Sequence, residues 1–353
     1  MTHTTSNHAL HKSRPPPIQA PAAKIYLTYI PAMASQNSSL VQHYELQDFT
    51  FNDGTTLPRV RVAYEMHNRH NTKIAVVHTC FRGRINTTLT HANGVLQNHK
   101  IIVIALFGNG ESSSPSNTPA FPKKIDYQDC VKAQYELLTK GLGVEDVDVM
   151  LGFSMGGQIT YHWIATHRDL VKNAVIVCSS AKTSRHNVQF LEGPKTALES
   201  AATPEQGIRA FGKGYSAWLT SAEWFDQELY KDVGFETQEA WDEMATYTGY
   251  EGWTGDDLLA MLGMWQRGDI ARCVPTSNGV LRDALKRIES RVLLLPVETD
   301  QYFRPYVSMR EVKDLYRGEV TVVPSIWGHI GGGGASGKDV EWMDGKIAEF
   351  LSG

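Results

Sequence analysis

A serine set between glycines at the end of an apolar run, "VMLGFSMGGQIT" at residues 149–160, is where residue type and spacing first point to covalent chemistry. Gly152, Ser154 and Gly156 satisfy G-x-S-x-G, the pattern of a nucleophile carried on a sharp strand-to-helix turn. Such a turn holds the serine Oγ clear of the sheet, and Gly156 and Gly157 leave room for strand and helix to approach. A serine hydroxyl is a weak nucleophile at neutral pH and needs a base that a third group orients. The chain order expected for this turn is serine, acid, histidine. His162 and His167 fall on the helix that Ser154 would start, and His186 opens a long helical stretch, which leaves His329 in "SIWGHIGGGG" as the candidate base. For the acid, "LLLPVETDQYF" offers Asp300, preferred because it lies further into the loop, and Glu298 as the alternative. The developing oxyanion needs two donors: the N–H of Met155 and one from the loop "HTCFRG", where Cys80 comes first and Phe81 next. Cys80 is also a thiol, but a cysteine at a strand end is more often a small buried hydrophobe than a nucleophile.

These groups need a scaffold, and the chain reads as one. "RVRVAYEMH" (59–67) alternates like a strand, while "KIAVVH" (73–78), "KIIVIALF" (100–107), "VDVMLG" (147–152) and "NAVIVC" (173–178) are short β-branched runs expected of strands buried on both faces. Helical stretches at 127–140 and 155–166 lie between them, giving the βαβα rhythm of a mostly parallel sheet. The rhythm breaks over 181–288, which holds Trp218, Trp224, Trp241, Trp253 and Trp265 among polar helical stretches. It resumes at "RVLLLPV" (291–297) and "EVTVVP" (319–324), followed by a last helix. The expected organisation is a leader over 1–40, a core over 41–180, a helical lid inserted over 181–288, and the rest of the core, with acid and histidine, over 289–353.

Composition narrows the function. With 42% hydrophobic and 20% charged residues and a net charge of -4, the 353-residue chain has no electrostatic footprint for nucleic acid. The four cysteines form no C-x-x-C pair, so neither a disulfide framework nor a zinc site is indicated, and no metal or prosthetic group is expected. No uncharged apolar run reaches the ~18 residues of a membrane span. The leader lacks Asp and Glu and contains "RPPPIQAPAAK", which cannot form a regular helix; a disordered tail in a cytoplasmic protein is preferred to an organelle transit peptide, and Met33 is an alternative start. A small-molecule acyl substrate is the expected partner, and the oligomeric state is open, with a homodimer among the options. "GGGASGKD" (332–339) nearly matches a phosphate-binding loop, but Asp339 stands where a hydroxyl should meet magnesium; Ser336 and Asp339 read better as the cap of the last helix.

The stretches "GFSMGGQ" (152–158), "LFGNGESSSPSNTPAFP" (106–122), "YQDCVKAQYELLTKGLGV" (127–144), "ETDQYFRP" (298–305) and "PSIWGHIGGGG" (324–334) resemble the homoserine O-acetyltransferase-like branch of the α/β-hydrolase superfamily. The resemblance runs from about residue 44 onward and is weakest in the lid. It implies an α/β-hydrolase fold, a mostly parallel central sheet flanked by helices with an inserted helical lid, and Ser154, Asp300 and His329 in the three triad roles. It also implies an acyl group taken from an acyl-CoA co-substrate and passed to an alcohol, or to water in hydrolase members, some of them in natural-product pathways. Homoserine acetyltransferases carry an arginine-containing lid stretch after the sixth strand that clamps the amino acid. In "SSAKTSRHNVQF" (179–190) Arg185 is the candidate, without a full match. Aromatic lid residues, Trp218, Trp224 and Trp265 among them, are candidates for an apolar acyl pocket, or else pack the lid helices together. The expected activity is hydrolysis of an ester or thioester of a small apolar or polyketide-type acyl group through an acyl-serine. The alternatives are acyl transfer to an alcohol and, from a different class, a ligand-binding protein without catalysis.

Overall fold

The computed structural model describes residues 40–353, so the leader and Met33 lie outside the described residues. The sheet is built from β1 (Gln42–Thr50), β2 (Thr56–His67), β3 (Ile74–His78), β4 (Lys100–Ile104), β5 (Val147–Phe153), β6 (Val171–Val177), β7 (Arg291–Leu295) and β8 (Gly318–Val320). Its order is β1-β2-β4-β3-β5-β6-β7-β8, antiparallel at β1·β2 and β2·β4 and parallel from there on. The central strands read as continuous apolar runs because helices cover both faces, and Val76, Ile102, Met150 and Ile176 are buried on one side while Ala75, Val103, Val149 and Val175 are buried on the other.

Two elements differ from the sequence reading. β1 was not anticipated: as an edge strand it buries Leu46 and Phe49 but leaves most other positions partly or fully exposed, so its apolar signal is thin. "EVTVVP" forms a strand only over Gly318–Val320, with a single further bridge from Val323 to Val297, because the other edge has no neighbour to extend it. The helices are α1 (Tyr127–Glu136), which ends in a π-type turn, and α2 (Met155–Thr166) in the first part of the core. Between β6 and β7 come α3 (Arg185–Glu199), α4 (Pro204–Ser216), α5 (Ala222–Asp226), α6 (Gln238–Thr246), α7 (Gly255–Arg267) and α8 (Leu281–Leu285). Side-chain caps start several of them, as Ser184, Thr203, Ser221, Thr237 and Thr254 each accept a backbone N–H of the first turn. After β7 follow α9 (Pro305–Glu311), the short α10 (His329–Gly332) and α11 (Gly337–Ser352), whose start is capped by Ser336 accepting from Asp339 N.

Candidate active site

Ser154 sits between β5 and α2 at φ 58° and ψ -124°, a strained conformation for a residue with a side chain. The strain is held by close packing that only glycine allows. A Cβ on Gly152 would stand 1.9 Å from the Gly156 carbonyl oxygen, and one on Gly156 would stand 2.7 Å from the His78 carbonyl oxygen. Ser179 Oγ donates to the Ser154 carbonyl at 2.7 Å and ties the turn to the end of β6.

The loop after β7 and the short α10 deliver two more side chains to this point. His329 Nε2 lies 2.9 Å from Ser154 Oγ, and His329 Nδ1 lies 2.8 Å from Asp300 Oδ2. A carboxylate only accepts, so the arrangement places the imidazole proton on Nδ1 and leaves Nε2 free to accept from the serine hydroxyl. The other oxygen, Asp300 Oδ1, accepts the N–H groups of Tyr302 at 2.8 Å and Phe303 at 3.1 Å, which holds the carboxylate in place. Ser154, Asp300 and His329 are all buried, and the rings of Phe153 and Tyr302 lie 4.6 Å and 4.8 Å from that of His329. Glu298, the alternative acid, is exposed, and the two ring nitrogens of His329 face Asp300 and Ser154. His162 and His167 are engaged elsewhere, at the Gln158 carbonyl and stacked on Tyr135.

Met155 is the first residue of α2, and its N–H belongs to the group that finds no acceptor inside a helix. The loop after β3 passes beside it, since a Cβ on Gly156 would meet the carbonyls of His78 and Thr79. Cys80 and Phe81 follow in that loop, and both line a mostly apolar cavity together with Phe153 and Gly332, the neighbours of Ser154 and of the His329 turn. Burial pushes the Cys80 thiol up to about 12, so it is protonated at neutral pH and not a competing nucleophile. Cys178 is a residue that the sequence reading passed over: its Sγ and the facing atoms of Asp300 and His329 lie within 4.8 Å of one another, the sole such cluster of potential metal ligands among the described residues. Burial, and then the neighbouring Asp300, hold this thiol well above its ordinary value, and His329 Nδ1 and Asp300 are already bonded to each other.

The lid contributes Tyr215, Leu219, Trp241 and Met244 to the cavity, while Arg185 and the tryptophans that the sequence offered as either pocket or packing residues are not in its lining. Trp224 is fully buried against Trp241 and Tyr230 inside the lid. Trp218 packs on Phe190, and Trp265 packs on Phe303 beneath the acid loop. Arg185 is exposed and lines a separate surface cleft with Lys182 and Arg310. Aromatic type alone does not tell which face of a lid helix turns to the cavity. Arg82, which the sequence reading did not single out, also lines it.

Comparison with known proteins bears on the fold and the family. The α/β hydrolase fold family matches residues 81–219. An ethyl acetate hydrolase of Pseudomonas veronii is 31% identical over 269 residues, which cover 71% of this chain and 76% of that protein. The chain belongs to the α/β-hydrolase family. The solved acetyl esterase MekB superimposes with a TM-score of 0.81 at 27% identity, covering 89% of this chain and 97% of that one. A homoserine O-acetyltransferase of Cyclobacterium marinum is 26% identical over 197 residues, 53% of this chain and 56% of that protein, so this α/β hydrolase resembles both esterases and the acetyltransferase branch. It is an esterase or acyltransferase of the α/β-hydrolase type. Among the described residues no helix is long and apolar enough to cross a membrane.

Proposed function

We propose that this α/β hydrolase cleaves esters or thioesters of small acyl groups, with Ser154 as nucleophile, His329 as base and then acid, and Asp300 as the group that orients the imidazole. The hydrogen-bonded chain from Ser154 Oγ through His329 to Asp300, at 2.9 Å and 2.8 Å, carries this reading. Oγ attacks the carbonyl carbon as its proton passes to His329 Nε2. The oxyanion is held by the N–H of Met155 and one from the donor loop, of Cys80 or Phe81. Collapse expels the alcohol or thiol, which takes the proton from Nε2, and leaves an acyl-serine. Water, giving its proton to Nε2, then releases the acid and restores Ser154.

The esterase names of relatives favour water as the final acceptor. The likeness to homoserine O-acetyltransferases supports a second reading, in which an acyl-CoA acylates Ser154 and an alcohol takes the acyl group. The two fates differ in how well the lid excludes water from the acyl-enzyme. Intact-protein mass spectrometry after exposure to p-nitrophenyl acetate or acetyl-CoA, with and without homoserine, separates them. An acyl adduct on the wild type that water releases is expected, and release only in the presence of an alcohol would favour the second reading. Ser154→Ala is expected to show no adduct and to lose about 10³-fold or more of kcat while melting normally; retained turnover in that variant refutes the proposal.

A further inference from the structure

Ester hydrolysis has no need of a cation beside the acyl group, yet Arg82 is among the residues that line the cavity. The residue stands two positions beyond Cys80 and adopts φ 59°, a backbone region disfavoured for any residue with a side chain. It is only 9% exposed. Nη2 donates to the Gly249 carbonyl at 2.8 Å, and the guanidinium lies over the Tyr250 ring, 3.8 Å from its centroid. Nε is buried without an acceptor, and among the described residues no carboxylate lies within ion-pair distance of this guanidinium. The contrast with Arg84 is informative. Arg84 is held by the carbonyls of Asn109 and Gly252 and feels the charges of Glu111 and Asp257. A buried cation is ordinarily paired, because leaving water without a counter-charge is costly.

We infer that Arg82 recognises a carboxylate at the far end of the acyl group, so that the favoured substrates are half-esters or half-thioesters of short dicarboxylic acids. The inference rests on the acyl-enzyme reading of Ser154. The alcohol departs first while the acyl part stays bound to Oγ, and the cavity beside Phe153, whose wall also includes Ile101 and Leu151, is the space next to Ser154 that the proposal gives to the acyl chain. An apolar wall with one cation suits a chain with an apolar stem and an anionic end. Guanidinium is also the side chain best shaped to meet a carboxylate through two N–H groups.

The test compares kcat/KM for monoethyl succinate with that for ethyl isocaproate, its neutral isostere, following released ethanol. The wild type is expected to favour the half-ester by about tenfold or more. Arg82→Met should bring the ratio to unity or below, and Arg82→Lys, which keeps the charge, should retain part of it. A wild-type ratio at or below unity overturns the inference, as does an Arg82→Met variant that lowers both substrates equally, the signature of a residue that merely ties the loop to Gly249. Ser154-dependent turnover of ethyl acetate, measured alongside, reports on the acyl-enzyme separately: its presence with no preference for the half-ester condemns only the role of Arg82. Should Arg82→Met fail to fold, the wild-type ratio and the Lys variant still decide.

Discussion

The two oxygens of Asp300 act differently. Oδ2 faces the imidazole, and Oδ1 takes two backbone N–H groups from the turn that follows, so the carboxylate cannot swing away from His329. Asp300→Asn keeps an oxygen for one set of partners but can present an amide N–H to Nδ1, which favours the wrong tautomer of the histidine. The expected result is a loss of kcat of about 10⁴-fold with little change in KM, measured by steady-state kinetics on a short acetate ester. An effect below tenfold would show that the orienting role lies elsewhere. Nothing in the stretch 298–300 distinguishes the two acids by chemistry; position in the loop favoured Asp300, and the structure shows Glu298 exposed. Arg82 is not marked by the sequence for a related reason: an arginine in a short loop is ordinarily solvated, and no local pattern shows that this one is buried.

At the level of elements, α9 is fastened to the entrance of the lid by a buried carboxyl. Glu311 Oε1 accepts from Ala181 N at 3.0 Å, where the chain leaves β6, and Oε2 accepts from the Tyr161 hydroxyl at 3.0 Å. Burial raises this carboxyl from 4.5 to about 7. The folded protein therefore binds a proton more tightly than the unfolded chain between these values, so this contribution to stability is full at low pH and declines as pH rises through about 7. Glu311→Gln keeps an acceptor for Ala181 N and removes the titration. Its Tm is expected to gain on that of the wild type between about pH 5 and about pH 8, by scanning calorimetry; a difference independent of pH would refute this. The elements themselves were legible wherever burial on both faces or helix periodicity left a dense signal. β1 was not, because an edge strand needs few apolar residues, and its pairing with β2 supplies what its own pattern lacks.

For the whole molecule, the cavity is a joint product of core and lid. Phe153, Cys80 and Phe81 come from the sheet side and Leu219, Trp241 and Met244 from the lid, so the size of the cavity depends on how the two parts meet, and under the proposed function so would the acyl length accepted. Lid and core are linked beside the triad by Tyr302 Oη donating to the Tyr215 carbonyl at 2.8 Å and by Ile330 N donating to the Leu219 carbonyl at 3.2 Å. Met244→Ala should enlarge the cavity, moving the best acyl chain longer by one or two carbons at a stability cost of about 2–5 kcal/mol. A series of p-nitrophenyl esters and a urea melt check this; an unchanged chain-length profile would exclude Met244 from the acyl wall. The sequence by itself determined the elbow, the order of serine, acid and histidine, and the alternation of strand and helix, because each depends on local spacing: glycines where backbones touch, apolar runs where both faces are covered. Only the tertiary structure decided which lid residues face the cavity, which acid reaches the histidine, and that Arg82 is buried without a counter-charge. These depend on contacts between segments far apart in the chain, such as Arg82 with Gly249 and Ser154 with His329, and no local pattern encodes them.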